Sequence, residues 1–148
     1  MIPTPKTMTI TLNRTIPALP AEVYDAWLDP ATPGTPWDRS ECEKVILDPK
    51  IEGLFYFKRV SAERIDFPHF GRFVVLDPPK KIEYTWMSPF TRGAESVVTV
   101  ELERKGDDTL LQLCHSNLPD DELGHLHNGG WTSRLDALVE RFQVRRSR

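Results

Sequence analysis

The sequence holds few of the residues that mark a reaction or an export route. Its 148 residues include only two cysteines. Cys42 and Cys114 are too far apart for a C-x-x-C redox pair or a zinc ligand set, and both read as buried thiols. Histidine is nearly as scarce, with four in the chain. His125 and His127 would sit on different faces of a helix, and Glu122 with His125 gives one E-x-x-H where a di-iron bundle needs two. Neither a metal nor a cofactor is expected. There is no G-x-S-x-G elbow, no phosphate-binding loop and no G-x-G-x-x-G. No stretch approaches the ~18 apolar residues that cross a bilayer, and the opening Met1-Ile2-Pro3-Thr4-Pro5-Lys6 lacks the apolar core of a secretion signal. A cytoplasmic protein without membrane insertion is the expectation. An excess of one charge is also missing. Nineteen basic against 22 acidic residues leave a net charge of −3, so no general attraction to nucleic acid follows.

What is present is ordinary globular material. Apolar residues make up 39% and charged residues 28%, enough to bury a core without staples. The length predicts a single domain over residues 1–148. The 13 prolines fall mostly between apolar runs, where turns belong.

Met8, Ile10, Leu12 and Ile16 alternate with polar residues, the period of a half-buried strand. Arg14 falls in the apolar phase, where a guanidinium would need acceptors. Pro20 fits the first turn of a short helix with Val23, Ala26 and Trp27 on one face. Asp29-Pro30 stops it, and Thr32 to Trp37 makes a loop or one further short turn. Strands are then predicted at Glu43–Leu47, Gly53–Val60, Phe67–Leu76, Lys81–Met87, Ser96–Arg104 and Thr109–Asn117, an antiparallel meander with hairpin-length loops. The stripe Trp131, Leu135, Leu138 and Phe142 marks a helix of about 25 residues from Asp120, or roughly 37 Å. Gly129-Gly130 falls inside it and predicts a kink or break. The basic residues Arg141, Arg145, Arg146 and Arg148 read as a solvated helix end. The fold class is α+β: a curved antiparallel sheet of about six to seven strands gripping a long C-terminal helix, with two short helices after the first strand.

The candidate site is an inward set of aromatics with isolated polar groups. Phe55, Phe57, Tyr84, Trp86 and Trp131 are the aromatic wall, with Trp37 and Leu135 beside them. Arg14 and His115 lie in apolar phases, and polar side chains there are easier to place around a cavity than inside a dry core.

The run Arg14-Thr15-Ile16-Pro17-Ala18, with Val23-Tyr24, Ala26-Trp27 and Asp29-Pro30, resembles the opening motif of the family of homologues of the activator of heat-shock-protein-90 ATPase. That family lies in the START/Bet v 1-like helix-grip superfamily. Gly53, Phe55, Phe57, Gly71, Asp77-Pro78-Pro79 and Tyr84-Thr85-Trp86 continue the pattern. The stretch Leu111 to His115-Ser116 and the closing Gly130-Trp131, Leu135 and Leu138 complete it, and the resemblance covers about residues 8–143, the expected core of the domain. Leu19 stands where the family usually has proline, with Pro20 one position later. The resemblance implies a sheet gripping the C-terminal helix with a cavity between them, in a superfamily whose members bind lipids, sterols or polyketides. The expected function is non-catalytic binding of a small hydrophobic or amphipathic ligand. One alternative is an interaction domain acting on a chaperone. Another is a polyketide cyclase or dehydratase-like enzyme, with His115 as the inward acid/base group.

Overall fold

The computed structural model describes residues 6–60 and 66–147; Met1–Pro5 of the opening segment and Arg148 of the basic tail lie outside them. Chain order is β1 (Thr7–Ile16), α1 (Pro20–Trp27), β2 (Cys42–Leu47), β3 (Leu54–Val60), β4 (Asp66–Asp77), β5 (Lys81–Trp86), β6 (Ser96–Lys105), β7 (Asp108–Pro119) and α2 (Glu122–Arg146). A single 3-10 turn, Pro89–Thr91, follows β5. The strands form one seven-stranded sheet in the order β1-β7-β6-β5-β4-β3-β2, antiparallel at every pairing. All six predicted strand segments of the meander are present, within two residues at each end. Only one short helix follows β1, not two. Thr32 to Trp37 stays in turns, because its prolines remove the N–H donors that a second helix would need.

Alternation decides the inward face. Phe55 and Phe57 of β3, Ile82, Tyr84 and Trp86 of β5, Val98, Val100 and Leu102 of β6, and Leu111, Leu113 and His115 of β7 are all buried. The phase slips at Asn117, which adopts φ 60°, so that Leu118 and not Asn117 is buried next. Asparagine tolerates this left-handed geometry better than most residues.

α2 packs on the sheet with Trp131, Leu135, Leu138 and Phe142 buried. Its N-cap is Asp121, whose carboxylate accepts from Leu123 N at 3.0 Å and Gly124 N at 3.1 Å. Arg92 donates to the other oxygen at 2.6 Å and holds the carboxyl below its ordinary pKa. The helix runs unbroken through Gly129-Gly130. A Cβ at either glycine would meet nothing within 4 Å, so neither a break nor close packing accounts for them. The anchors on both sides hold the turn helical, the cap before it and the four buried side chains after it. The tail is engaged more than a solvated end would be: Arg145 pairs with Glu22 at 3.1 Å and Arg146 with Asp108 at 2.6 Å.

Candidate functional site: a cleft between sheet and helix

A cleft of about 560 Å³ opens between α2, the loop after α1 and the β3–β5 part of the sheet. α2 contributes Leu126, His127, Gly130, Trp131, Ser133, Arg134 and Ala137; the loop contributes Pro33, Gly34, Asp38, Ser40 and Glu41; the sheet side gives Arg59, His69, Trp86 and Phe90. The volume falls within the ~300–1,000 Å³ range of small-molecule sites. Gly34 fixes how the loop meets the helix. It has φ +93°, and a Cβ there would lie 2.6 Å from the Arg134 carbonyl oxygen, so only glycine brings these two walls together.

Of the nine residues expected at the site, Trp86 and Trp131 border this cleft. Trp37 comes from the loop and is fully buried. Its indole N–H donates to Trp27 O at 2.9 Å, and its ring meets Phe55 at 5.4 Å, Phe73 at 5.8 Å and Tyr84 at 5.4 Å. Trp37, Phe55 and Tyr84 therefore fill each other's space and leave no ligand surface there. Phe57 stacks behind His69 at 4.7 Å, and Leu135 is fully buried under the helix. Arg14 is on the helix side of the sheet, as its phase predicts, but not in the cleft. Its Nε lies 3.0 Å from Asp136 on α2, in a pair that solvent reaches.

His115 is inward and fully buried, and its surroundings fix its tautomer. The Trp131 indole N–H can only donate, so His115 Nδ1 accepts it at 2.9 Å. Nε2 then carries the proton and donates to Ser96 Oγ at 2.7 Å, and that hydroxyl donates onward to Trp86 O at 2.6 Å. The relay ties α2 to β7, β6 and β5, and both ring nitrogens are used. Burial, with a smaller push from His127, drives the His115 pKa well below its ordinary value. His115 is thus a neutral structural clamp behind the cleft wall. It is not placed to orient a ligand or to exchange a proton with one.

Arg59, His69, Phe90, His127 and Arg134 line the cleft without having been singled out in the sequence. His69 is buried, meets Trp86 at 5.1 Å with the rings tilted, and stacks on Phe90 at 6.3 Å. Burial lowers its pKa to about 4. His127 faces His115 edge-on at 5.1 Å and is likewise lowered by burial. Arg59 reaches Glu41 at 3.3 Å and the Cys42 sulfur at 3.7 Å. Its Nε, like the indole nitrogen of Trp86, is buried without a hydrogen-bond partner among the described residues. Arg134 donates to Thr35 O at 2.9 Å. Cys42 is buried as expected, whereas Cys114 is only half-buried. Among the described residues, no group of three or more His, Cys, Asp or Glu is arranged to hold a metal ion, and no helix is long and apolar enough to cross a membrane.

The fold recurs in solved structures. A protein from Chromobacterium violaceum superposes with a TM-score of 0.78 at 23% identity, covering 90% of this chain and 96% of that one. A Rhizobium loti protein gives 0.78 at 21% identity, over 93% and 99%. An HSP90 activator from Plasmodium falciparum gives 0.68 at 24% identity, over 85% and 89%. A search of curated sequences finds no match. Residues 17–143 match the family model described as "Activator of Hsp90 ATPase homolog 1-like protein", and with nearly the whole chain inside that match, the protein belongs to this family.

Proposed function

We propose that the protein binds a small hydrophobic or amphipathic molecule in the cleft between sheet and α2, without catalysing a reaction. The observation that carries this reading is the cleft itself, a space of about 560 Å³ bordered by the rings of Trp86, Trp131, Phe90 and His69. An apolar body gains about 25 cal/mol for each Å² removed from water. A thermal-shift series with fatty acids, sterols and flat aromatics tests the reading. At least one class is expected to raise the melting temperature of the wild type. The rise should vanish in Ser133→Phe, which fills the cleft from α2. No stabilisation by any class, or a response that survives the blocked cleft, refutes it.

A second reading takes the family description at its word and assigns the chain to the regulation of a cytoplasmic chaperone ATPase. Ile46, Tyr56 and Phe70 pair in register across β2, β3 and β4 on the face away from the core, and Ile46 and Phe70 are exposed. Such a row suits a protein partner. Chaperone ATPase rates with wild type and with Ile46→Glu/Phe70→Glu separate this reading from the first, since those residues lie outside the cleft.

A further inference from the structure

Three histidines surround the two cleft tryptophans, and they differ in what they leave open. His115 has both nitrogens engaged. His69 and His127 each commit one nitrogen to the backbone. On β4, His69 Nδ1 lies 2.9 Å from Phe67 O. A carbonyl oxygen carries no proton, so Nδ1 must supply it, and the neutral ring then keeps a bare lone pair on Nε2. On α2, His127 Nδ1 lies 3.1 Å from both Leu123 O and Gly124 O, and the same deduction applies. Neither Nε2 finds a donor among the described residues. Both rings border the cleft, one from the strand wall and one from the helix wall. Burial keeps both uncharged near neutral pH.

The charges around the cleft do not favour an ion. Arg59 and Arg134 are offset by Asp38 and Glu41 among the lining residues, and Glu41 already sits on Arg59. The wall thus carries no formal excess of either sign to hold a carboxylate or an ammonium. It offers ring faces and two imidazole acceptors. A bare hydrocarbon would dry those acceptors and give them nothing in return.

We infer that the cleft selects a flat, uncharged aromatic molecule carrying a hydroxyl group, which donates its proton to Nε2 of His69 or of His127. This rests on the reading that the cleft binds a ligand at all. Trp86, Trp131 and Phe90 take the ring system, and the imidazoles distinguish a hydroxylated compound from its ether.

Calorimetric titration of the intact protein with three probes of one ring system tests the inference: 2-naphthol, 2-methoxynaphthalene and 2-naphthoate. Naphthol is expected to bind about tenfold more tightly than the methyl ether, the worth of one donated hydrogen bond, and more tightly than the carboxylate. In His69→Phe/His127→Phe the naphthol preference should disappear while the ether still binds. Phenylalanine keeps a ring in each position, and a melting curve confirms that the variant folds. If it does not, the single variant His127→Phe, at the less buried of the two positions, is expected to lose part of the preference. Equal binding of naphthol and ether overturns the inference and leaves the cleft reading standing. So does a preference that survives the loss of both imidazoles, or tighter binding of naphthoate. No binding of any probe overturns the inference, and the thermal-shift series with fatty acids and sterols then decides whether the cleft reading stands.

Discussion

Replacing Gly129 or Gly130 with alanine should make the protein more stable, and the two variants should differ in what they do to the cleft. Both glycines lie in the interior of α2, where glycine costs about 1 kcal/mol relative to alanine. That gain is often cancelled by a clash, but a Cβ at either position meets nothing within 4 Å. The full gain is therefore expected from each. For a chain of this length it corresponds to a rise in melting temperature of about 4 °C per substitution. Gly130 borders the cleft and Gly129 does not. Gly129→Ala should leave probe affinity and off-rate unchanged, whereas Gly130→Ala adds a methyl group to the wall and should weaken binding of bulky probes. Differential scanning calorimetry and a stopped-flow off-rate on the two single variants decide the matter. A Gly129→Ala protein that melts at or below the wild type would mean that α2 is not continuous there. An off-rate slowed by Gly129→Ala would mean that the glycine pair acts as a hinge.

The remaining predictions probe the clamp, the cap and the buried imidazoles. Gly124→Ala, one turn earlier in the same helix, should destabilise despite the same propensity gain, because its Cβ would overlap the backbone oxygen of Pro119; thermal melts beside Gly129→Ala give the contrast. Trp131→Phe removes the donor to His115 Nδ1 and leaves a buried acceptor unpaired. It should cost about 1–3 kcal/mol beyond the lost packing of the smaller ring, measured by urea unfolding. Stability should also fall with acid. His69, His115 and His127 all have folded pKa values below the ordinary 6.5, so the unfolded chain takes up protons that the fold excludes. The penalty is absent above pH 6.5 and grows as the pH falls from there toward the folded values. For His69, lowered to about 4, it amounts to roughly 3 kcal/mol once the pH has fallen past that value, at about 1.36 kcal/mol per pH unit. Urea midpoints at pH 7.5 and 5.0 test it, and a protein equally stable at both refutes it. His69→Phe should reduce the difference.

The strands and their inward faces were legible because burial on one side of a sheet imposes a period of two on the residues themselves. His115 stood out by that rule, as did Trp86 and, at helical spacing, Trp131. The same rule placed Arg14 in the core phase, but phase says nothing of depth. The strand carrying it is a sheet edge, where a long side chain reaches out to Asp136. Much of the cleft wall beyond Trp86 and Trp131 was not legible, for two reasons. About a third of the wall is the segment from Pro33 to Glu41, whose turns follow no period. His69, in turn, lies in β4, a strand apolar in both phases, so nothing in the pattern chose a face. Composition misled at Gly129-Gly130, where local propensity opposed the helix and the packing on either side overrode it.

The sheet is open, and its two outer strands are not equally sheltered. α2 lies against β1, while among the described residues β2 has only β3 beside it in the sheet. An exposed edge invites a strand from another copy to add on, and the exposed Ile46 would make that contact adhesive. Lys44 stands in the way. It adopts φ 52°, and the ladder with β3 slips between Glu43 and Ile46, so the outer edge offers no straight run of N–H and C=O groups to copy. Both Glu43 and Lys44 are exposed, and a neighbour arriving there would meet charge and a kink together. Resistance to strand-by-strand aggregation thus depends on a distortion in β2, and a sequence that straightened it would keep the fold while losing its guard against self-association.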